Sequence, residues 1–369
     1  MDLELTPEQS ELAAVARQLL DDQAPLSTAR SYLDGAPDPG RLPALVAEAG
    51  WYAVGLEAED PFGIPGLSLL AAEVGAHAAP LPLVDTAVTA AIVAGLGGEL
   101  AARIGAGEAT AAIALLEENA DWSLGGTFES ARATDGGYRL EGRKLDVHHG
   151  ATVDVLLVIA ADGDGAPAAF LVDPGAVDLS PEPAAIDPAA APRTVDLNGT
   201  TVAAGDALVG GEARAAIDRG LRLGAVASAA EAIGAASAAL EMAIEYSKER
   251  VQFGHPIGEF QALQHVMADA HTRRETATAT VLYAAAALEE ETEDAVESVS
   301  IAKAYASRAA RDVVEAALQV LGGVAFTWEH DVHLLQRRVL DCERRYGDAI
   351  DHERLLRAHL ARRAAGVPA

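Results

Sequence analysis

Cysteine, basic residues and long apolar runs are scarce in this sequence of 369 residues, and each scarcity excludes a class of protein. Cys342 is the single cysteine, so an internal disulfide is impossible and a reducing compartment is favoured. We therefore expect a cytoplasmic protein. Cys342 lies in a helical pattern, which predicts a small side chain that is buried or half-buried.

The charge balance is strongly acidic, with 27 Lys and Arg against 56 Asp and Glu and a formal net charge of −29. Such a surface repels long nucleic acids and anionic membranes, so we expect neither as a partner. A small polyanionic ligand would have to rely on local Arg or Lys side chains or on helix N-termini.

No apolar run in the sequence is long enough to cross a membrane, because Glu, Arg and Asp interrupt the alanine-rich stretches. The N-terminus is acidic and amphipathic, without the basic, apolar and small-residue order of a signal peptide. Half of the residues are apolar, so we expect a globular chain with length for two or three domains.

The residues that are present predict an α+β multidomain fold in three zones. Residues 1–110 are expected to form an N-terminal all-helical domain that begins with an amphipathic helix capped by Thr6. Clusters of Gly and Pro then separate further apolar segments at Leu42–Ala49, Leu67–Ala78 and Leu83–Leu96.

Residues 111–208 change to short apolar or alternating runs, with GG, DG and NG turn signals beside them. The runs are ATAAIALLEE, YRLEGRKLDV, VDVLLVIAA, AAFLVDP and RTVDLNGT. No helix-length repeat fits between them, so a small antiparallel β-sheet or β-barrel domain is predicted.

Residues 212–369 return to a helical period and predict a C-terminal four-helix bundle. The first helix is expected from Ala213 to about Val251, and the second begins at Phe260 with apolar residues at spacings of three and four. Two more helices are expected, one through Ser298–Leu321 and one through Val332–Ala361.

The stretch ERVQFGHPIGEFQ, residues 249–261, joins the first two helices of this bundle. By local rules it is a helix stop followed by a turn, in which Gly254 ends the helix, Pro256 enforces the stop and Gly258 permits the turn. On that interpretation Arg250 and Gln252 are exposed caps.

A second stretch, QVLGGVAFTWEHDVHLLQRR at residues 319–338, argues against a purely structural role for the joint. Its Gly322-Gly323 pair leaves backbone N–H groups open to a phosphate or a flat ring. Arg250 has the charge that a phosphate needs. Either motif alone is weak evidence, but the two together indicate a binding site.

The two stretches resemble the acyl-CoA dehydrogenase family. The resemblance rests on R-x-Q-F-G-x-P-I-x-x-F-Q at Arg250–Gln261 and on Q-x-x-G-G-x-x-F-x-x-E at Gln319–Glu329, supported by Ala268-Asp269. GYRLEGRK at Gly137–Lys144 and GATVD at Gly150–Asp154 match the family more weakly. The order of helical, β and helical zones is also the family's, so the resemblance spans nearly the whole chain.

The resemblance implies a flavoenzyme that removes two hydrogens across the Cα–Cβ bond of an acyl-CoA thioester. In the family a glutamate takes the α proton, FAD takes the β hydrogen as hydride, and electrons can leave to an electron-transfer flavoprotein. Arg250 is implied to pair with the FAD pyrophosphate, and the flavin ring to lie in a neighbouring subunit. The other cofactor residues that the resemblance implies are Gln252, Phe253, Phe260, Gln261, Gln319, Val320, Leu321, Gly322 and Gly323.

The family's catalytic glutamate is missing from its usual places. Counting on from the Gly-Gly motif puts Tyr346-Gly347-Asp348 where many members have Glu-Gly-Thr, and a tyrosine with a pKa of about 10 is no base at neutral pH. Asp348 lies two positions on and has a shorter stem. The family's other position for the base falls at Gly224, with Asp218 and Glu231 only nearby in sequence. We expect no catalytic residue here, with Asp348 and Glu231 as alternatives.

The flavin-ring half of the site also departs from the family. Asp146 stands where a tryptophan is common and His148 where Thr or Ser is, and a carboxylate is a poor neighbour for an anionic reduced flavin. His148 and His149 would point to opposite faces of a strand, so a surface or turn position is predicted and no metal site. Leu115–Glu118, followed by Asn119, replaces the family's Thr-Glu-Pro…Gly-Ser loop.

Three interpretations follow. The preferred one is the degenerate subunit of a heteromeric acyl-CoA dehydrogenase, which completes the FAD site of a homologous catalytic partner. Such assemblies are known in the family for steroid side-chain acyl-CoAs, so a steroid or another bulky acyl group is one option. The second interpretation is a self-sufficient homo-oligomeric dehydrogenase with a relocated base. The third is a non-enzymatic scaffold or binding protein of the same fold without FAD.

Overall fold

The computed structural model describes residues 4–56, 60–96, 99–118, 122, 131–182 and 185–365. Helices come first and last along the chain and strands lie between them, as the sequence predicts. The residues pack into two compact units, and neither is continuous in sequence. One comprises Met1–Asp38, Ile64–Ala79 and Ala225–Ala369, and the other Pro39–Gly63 and Pro80–Gly224.

The N-terminal helices are α1 (Pro7–Gln23), α2 (Leu26–Leu33), α3 (Leu42–Glu48), α4 (Gly63–Ala76), α5 (Leu83–Val93) and α6 (Glu99–Gly105). Thr6 caps α1 as predicted. Its side chain accepts from the backbone N–H of Gln9, and the Gln9 side chain accepts from the backbone N–H of Thr6. Helices α2 and α6 are additions, since both are too short for their period to stand out in sequence.

The C-terminal helices are α7 (Gly211–Glu249), α8 (Gln261–Glu289), α9 (Ala295–Leu321), α10 (Val332–Arg344) and α11 (Ala349–Ala364). The single helix expected through 332–361 is therefore two, and residues 211–365 hold five α-helices where four were predicted. The break lies at Tyr346 and Gly347, whose φ angles are 58° and 95°. Asp348 restarts the helix, because its carboxylate accepts from the backbone N–H groups of Ile350 and Asp351.

Helix α7 is the one described helix with the length and apolar composition to cross a membrane. We expected no apolar stretch long enough to cross a membrane, and α7 corrects this expectation. Its many small apolar residues raise the mean hydropathy despite the charged residues between them. In the structure 89% of its most apolar window is buried inside the protein. Burial of this kind is typical of a core helix.

Two glycines set the contact between α4 and α7. A Cβ atom on Gly234 would lie 1.8 Å from the carbonyl oxygen of Ala72, and one on Gly75 would lie 1.9 Å from that of Glu231. No side chain fits in either gap, so the two backbones touch directly. This contact holds the stretch of α7 around Glu231 in place.

The strands are β1 (Ala111–Ala114), β2 (Ala131–Thr134), β3 (Gly137–Leu140), β4 (Arg143–Val147), β5 (Val155–Ala161), β6 (Pro167–Val172), β7 (Asp178–Pro181), β8 (Arg193–Asp196), β9 (Thr201–Ala203) and β10 (Ala207–Leu208). They form three sheets, with the orders β1-β5-β6-β10, β2-β3-β9 and β4-β8-β7. No closed barrel occurs among these described strands, so the sheet alternative of the prediction is confirmed.

The expectation of purely antiparallel pairing needs one correction, because β1 pairs with β5 in parallel. The other edge of β1 is covered by α5: the Thr86 hydroxyl accepts from the N–H of Ala111 at 3.0 Å, and the Asp85 carboxylate accepts from that of Ile113 at 3.3 Å. Side chains that bond an edge strand prevent further strand pairing there. The predicted NG turn, Asn198-Gly199, leads from β8 to β9, which belong to different sheets.

Candidate functional site

The joint at residues 249–261 forms a small hairpin between α7 and α8. Strand β11 (Val251–Gln252) pairs with β12 (His255–Pro256), and the turn between them places Phe253 and Gly254 at positive φ, 56° and 86°. A non-glycine residue in this conformation is uncommon. The turn directs Phe253 away from the helices, so that it is 92% exposed.

The predicted cofactor residues of the joint lie on the surface. Arg250, Gln252 and Gln261 are exposed, and the Phe253 ring packs edge-on against Phe260 at a centroid distance of 6.2 Å. Within the described part of the chain, the Arg250 guanidinium has no hydrogen-bond or ion-pair partner. An unpaired cation beside two accessible aromatic rings is a surface suited to a flat, anionic ligand.

The second motif ends α9 and divides into inward and outward residues. Gln319 and Gly323 are exposed, whereas Val320 and Leu321 are buried and pack within the protein. Gly322 has a φ of 67°, and a Cβ atom on either glycine would meet no atom within 4 Å. Space is therefore open beside both glycines, but the Gly322 N–H donates to the Leu318 carbonyl at the end of α9, and the side chains of Val320 and Leu321 serve packing.

The two motifs lie at the same end of one helix pair. Helices α8 and α9 are antiparallel, because Tyr283 donates to Asp294 at 2.7 Å and Arg273 pairs with Asp312 at 3.3 Å. The first turn of α8 therefore lies beside the last turn of α9. We call the exposed residues of the joint and of the Gln319–Gly323 segment together the motif surface.

The residue in the position of the family's base is buried and fixed by its neighbours. Tyr346 is 3% exposed, and the Arg345 guanidinium lies 5.5 Å from the centre of its ring. The Tyr346 carbonyl accepts from Nε2 of His352 at 2.9 Å. Asp348, one of the alternatives, is occupied as the cap of α11.

Glu231, the other alternative, is 4% exposed and ion-paired. Arg338 donates to it at 2.9 Å and Arg345 at 3.4 Å. Arg338 also donates to the carbonyls of Ala78 and Ala79, both at 3.1 Å, just beyond the end of α4. Both oxygens of this carboxylate are therefore engaged in structural ion pairs. We call Glu231, Arg338 and Arg345 the buried charge cluster.

No sequence pattern indicated the arginines of this cluster or the lysine beside it. Lys303 is fully buried and donates to the Cys342 carbonyl and the Ser228 hydroxyl. Burial lowers the pKa of Lys303 to about 8 and that of His352 to about 4. Cys342 is buried as predicted, and burial raises the pKa of its thiol.

In the β unit, the residues that replace the family's flavin-ring groups lie beside each other. The Asp146 carboxylate lies 3.5 Å from Nε2 of His148, and β4 has an irregular register between Lys144 and Val147. Lys144 is fully buried and pairs with Glu117. Asn119 lies outside the described residues.

His148 and His149 form a turn, as predicted, but a surface position was wrong. They are 3% and 7% exposed, because the N–H of His149 donates to the Ala190 carbonyl and folds the turn inward. Among the described residues, no group of three or more His, Cys, Asp and Glu side chains has a metal-binding arrangement.

These observations test the fit of a flavin nucleotide to the chain. The motif surface suits its phosphate end, because it offers the unpaired Arg250 guanidinium and open space beside Gly322 and Gly323. In the described part of the β unit, Asp146 and His148 lie beside each other where the family has its flavin-ring groups, and a carboxylate there fits a reduced flavin ring poorly. The helical, β and helical order with this surface is what the resemblance to a class of flavin-dependent dehydrogenases implies.

Comparison with known proteins agrees with this class. The profile of the acyl-CoA dehydrogenase C-terminal domain matches residues 213–343. Acyl-CoA dehydrogenase IpdE2 of Mycolicibacterium smegmatis is 45% identical over 122 residues, which are 33% of this chain and 37% of that protein. The matched segment thus spans less than two thirds of this relative. Over these segments the chain is similar to acyl-CoA dehydrogenases.

Two solved structures match over nearly the whole chain. The ChsE4-ChsE5 complex from Mycobacterium tuberculosis has a TM-score of 0.84 and 25% identity, with 100% of both chains covered. The Tcur3481-Tcur3483 steroid ACAD has a TM-score of 0.84 and 28% identity, covering 97% of this chain and 99% of that one.

Proposed function

We propose that this chain is the non-catalytic subunit of a heteromeric acyl-CoA dehydrogenase, and that it completes the FAD site of a homologous catalytic partner. The proposal rests on a contrast between two parts of this chain, the position of the family's catalytic base and the motif surface. The base position holds a buried tyrosine, and the nearby carboxylates cap a helix or pair with arginines. The motif surface stays exposed.

The similarity to two complexes that each pair two different proteins supports the heteromer. The steroid ACAD among them supports a steroid side-chain or another bulky acyl-CoA as substrate. An electron-transfer flavoprotein is the electron acceptor that we propose. The activity, the substrate and the partner are all parts of the proposal.

Bound FAD would supply hydride acceptance from the acyl Cβ. This chain would bind the FAD and orient it. Arg250 would neutralise pyrophosphate charge, the Gly323 backbone N–H would donate a hydrogen bond, and Phe253 and Phe260 would cover flat surface and exclude water. Removal of the α proton is left to a glutamate of the partner.

Expression with and without a homologous partner tests the proposal. We expect the chain alone to be colourless and inactive, and the co-expressed complex to show a flavin spectrum and oxidise an acyl-CoA. A flavin spectrum and acyl-CoA oxidation by the chain alone would overturn the proposal. A complex that forms without FAD would overturn it equally.

A single substitution tests the cofactor role of the motif surface. Arg250→Ala in the complex is expected to reduce FAD retention on gel filtration by about tenfold, because one charge-assisted contact to phosphate is lost. Arg362→Ala is the matched control, since Arg362 is an exposed arginine on α11 without a partner among the described residues. Full flavin occupancy in Arg250→Ala would contradict the role.

A further inference from the structure

Helix α9 turns one side of its length to solvent in the unit that contains Ala225–Ala369. It is flanked there by α8, through the pairs described above, and by α11. Glu297 pairs with Arg363 of α11 at 2.7 Å, and Arg308 pairs with Glu353 at 2.5 Å, so α9 and α11 are antiparallel. The exposed sides of the three helices form one surface around residues 295–312, which we call the α9 face.

The middle of the α9 face is apolar. Ile301 and Tyr305 lie one turn apart on α9, between its two ion pairs to α11. The register that these pairs set places Leu360 of α11 beside Ile301. The exposed fractions are 45% for Ile301, 37% for Tyr305 and 46% for Leu360. Large apolar side chains that are exposed together, with charged residues around them, are typical of a protein–protein contact.

One end of the α9 face is acidic. The turn from α8 to α9, Glu289–Asp294, holds four glutamates. Three of them are exposed without an ion-pair partner in the described part of the chain, namely Glu290, Glu291 and Glu293. The two arginines in the last turn of α11, Arg362 and Arg363, are outnumbered, and Arg363 already pairs with Glu297. A partner would therefore meet excess negative charge here.

The other end of the α9 face is basic. Its guanidiniums belong to Arg308, Arg311, Arg344, Arg354 and Arg357. The carboxylates that pair with them belong to Glu343, Asp351 and Glu353. Glu353 serves both Arg308 and Arg357, and the exposed Arg344 has no partner among the described residues. Beyond this end, Asp312 is neutralised by α8 and Glu315 adds one acid, so the excess charge stays positive.

This order of acid, apolar and basic groups is self-complementary. A two-fold axis perpendicular to α9 between Ile301 and Tyr305 places the acidic end of one copy on the basic end of another, twice. The same rotation places the apolar middle on itself. Contacts of this kind close a dimer, because each copy offers and receives the same patch. The opposite charges at both ends fix the orientation of the two copies.

The size of the α9 face suits such a contact. From the acidic turn to Asp312 it is about 30 Å long, at 1.5 Å per residue. Three neighbouring helices about 9 Å apart make it about 25 Å wide. The area is then on the order of 700 Å², and stable interfaces bury about 800 Å² on each partner.

We propose that the α9 face joins two copies of this chain in a two-fold symmetric dimer. The dimer leaves the motif surface open, because its part of α9 begins at Gln319, about 16 Å along the helix from Arg308. The proposal does not rest on the FAD role. A chain that dimerises without supporting flavin binding would contradict only that role, and a monomeric chain would contradict only the dimer.

Sedimentation equilibrium of the full chain, without any partner, measures this dimer. We expect a dimer at micromolar concentration, and Ile301→Glu should raise its dissociation constant by about a hundredfold, since a charge then lies at the apolar centre. Val15→Glu is the matched control, because Val15 is an equally exposed apolar residue on α1 and the dimer should persist. Circular dichroism of both variants should match that of the unchanged chain.

Charge reversal tests the two-fold arrangement itself. Glu290→Lys with Glu293→Lys should weaken the dimer about tenfold, and so should Arg344→Glu with Arg357→Glu, because each reversal sets like charges against each other. Mixing the two double variants should restore a dimer of about the original strength, since a reversed acidic end then meets a reversed basic end.

Three results would overturn the proposal. The first is a chain that stays monomeric at micromolar concentration, including one whose α9 face is covered only after a homologous partner is added. The second is a dimer that Ile301→Glu leaves intact. The third is a mixture of the two charge-reversed variants that associates no better than either variant alone.

Discussion

The charged side chains of the motif surface and of the buried charge cluster differ in solvent exposure and in pairing. Arg250 is exposed and has no partner among the described residues, whereas Arg338 is buried and donates to a carboxylate and two carbonyls. A charge can stay in water without cost, but a buried charge must be paired. The difference indicates which residues serve folding and which are available for a ligand.

The same difference explains why we propose that this chain binds the cofactor and that its partner supplies the catalytic base. At the family's base position, the carboxylates present serve as a helix cap and as an ion-pair partner, so removing them should affect stability first. The motif surface contributes few internal contacts, so removing its side chains should affect binding first. Three predictions test this contrast, beginning with the largest expected effect.

Arg338→Met should destabilise the protein by about 3–5 kcal/mol, because it removes the nearer partner of buried Glu231 and two carbonyl hydrogen bonds. Urea denaturation followed by circular dichroism measures the change. Adding Glu231→Gln should recover part of the loss, since no carboxylate then stays buried with a single distant partner. A loss below about 1 kcal/mol would show that the cluster is not needed for folding.

The His352 side chain gives the base position a pH dependence. Burial lowers its pKa to about 4 in the folded chain from 6.5, so the unfolded chain takes up a proton first as the pH falls. The contribution of the neutral His352 side chain to the free energy of unfolding is fully present above pH 6.5. It is lost as the pH falls from 6.5 to 4, by up to about 3 kcal/mol. Urea denaturation at several pH values measures it.

His352→Gln provides the control for that titration, because glutamine has no proton to gain and can still donate to the Tyr346 carbonyl. The stability difference between the two proteins should narrow as the pH falls. A difference that stays constant from pH 7 to pH 4 would contradict the assignment to His352.

The sequence predicts the order of the zones because apolar periodicity and turn residues are local signals. It predicts the exposed joint for the same reason: Gly254 and Pro256 fix a turn through their own backbone limits. The buried charge cluster is different, since Glu231, Arg338 and Arg345 are distant in sequence and meet only after packing.

The break between α10 and α11 was also missed, although its residues are adjacent. Tyr346 has a φ of 58°, a conformation that a tyrosine does not favour by itself. The hydrogen bond from His352 to the Tyr346 carbonyl and the cap by Asp348 hold the turn. Gly347-Asp348 was a local signal for it, but the helical period on both sides outweighed that signal.

The smallest expected effect is on the stability of the motif-surface variants. Arg250→Ala and Phe253→Ser should each change the free energy of unfolding of the isolated chain by less than about 0.5 kcal/mol, since neither side chain is buried. Urea denaturation of the single variants measures this. If either variant costs more than about 1 kcal/mol, that side chain serves folding, and its exposure no longer argues for a ligand. A null effect on folding, combined with reduced FAD retention in the complex, would separate binding from folding at the same residue.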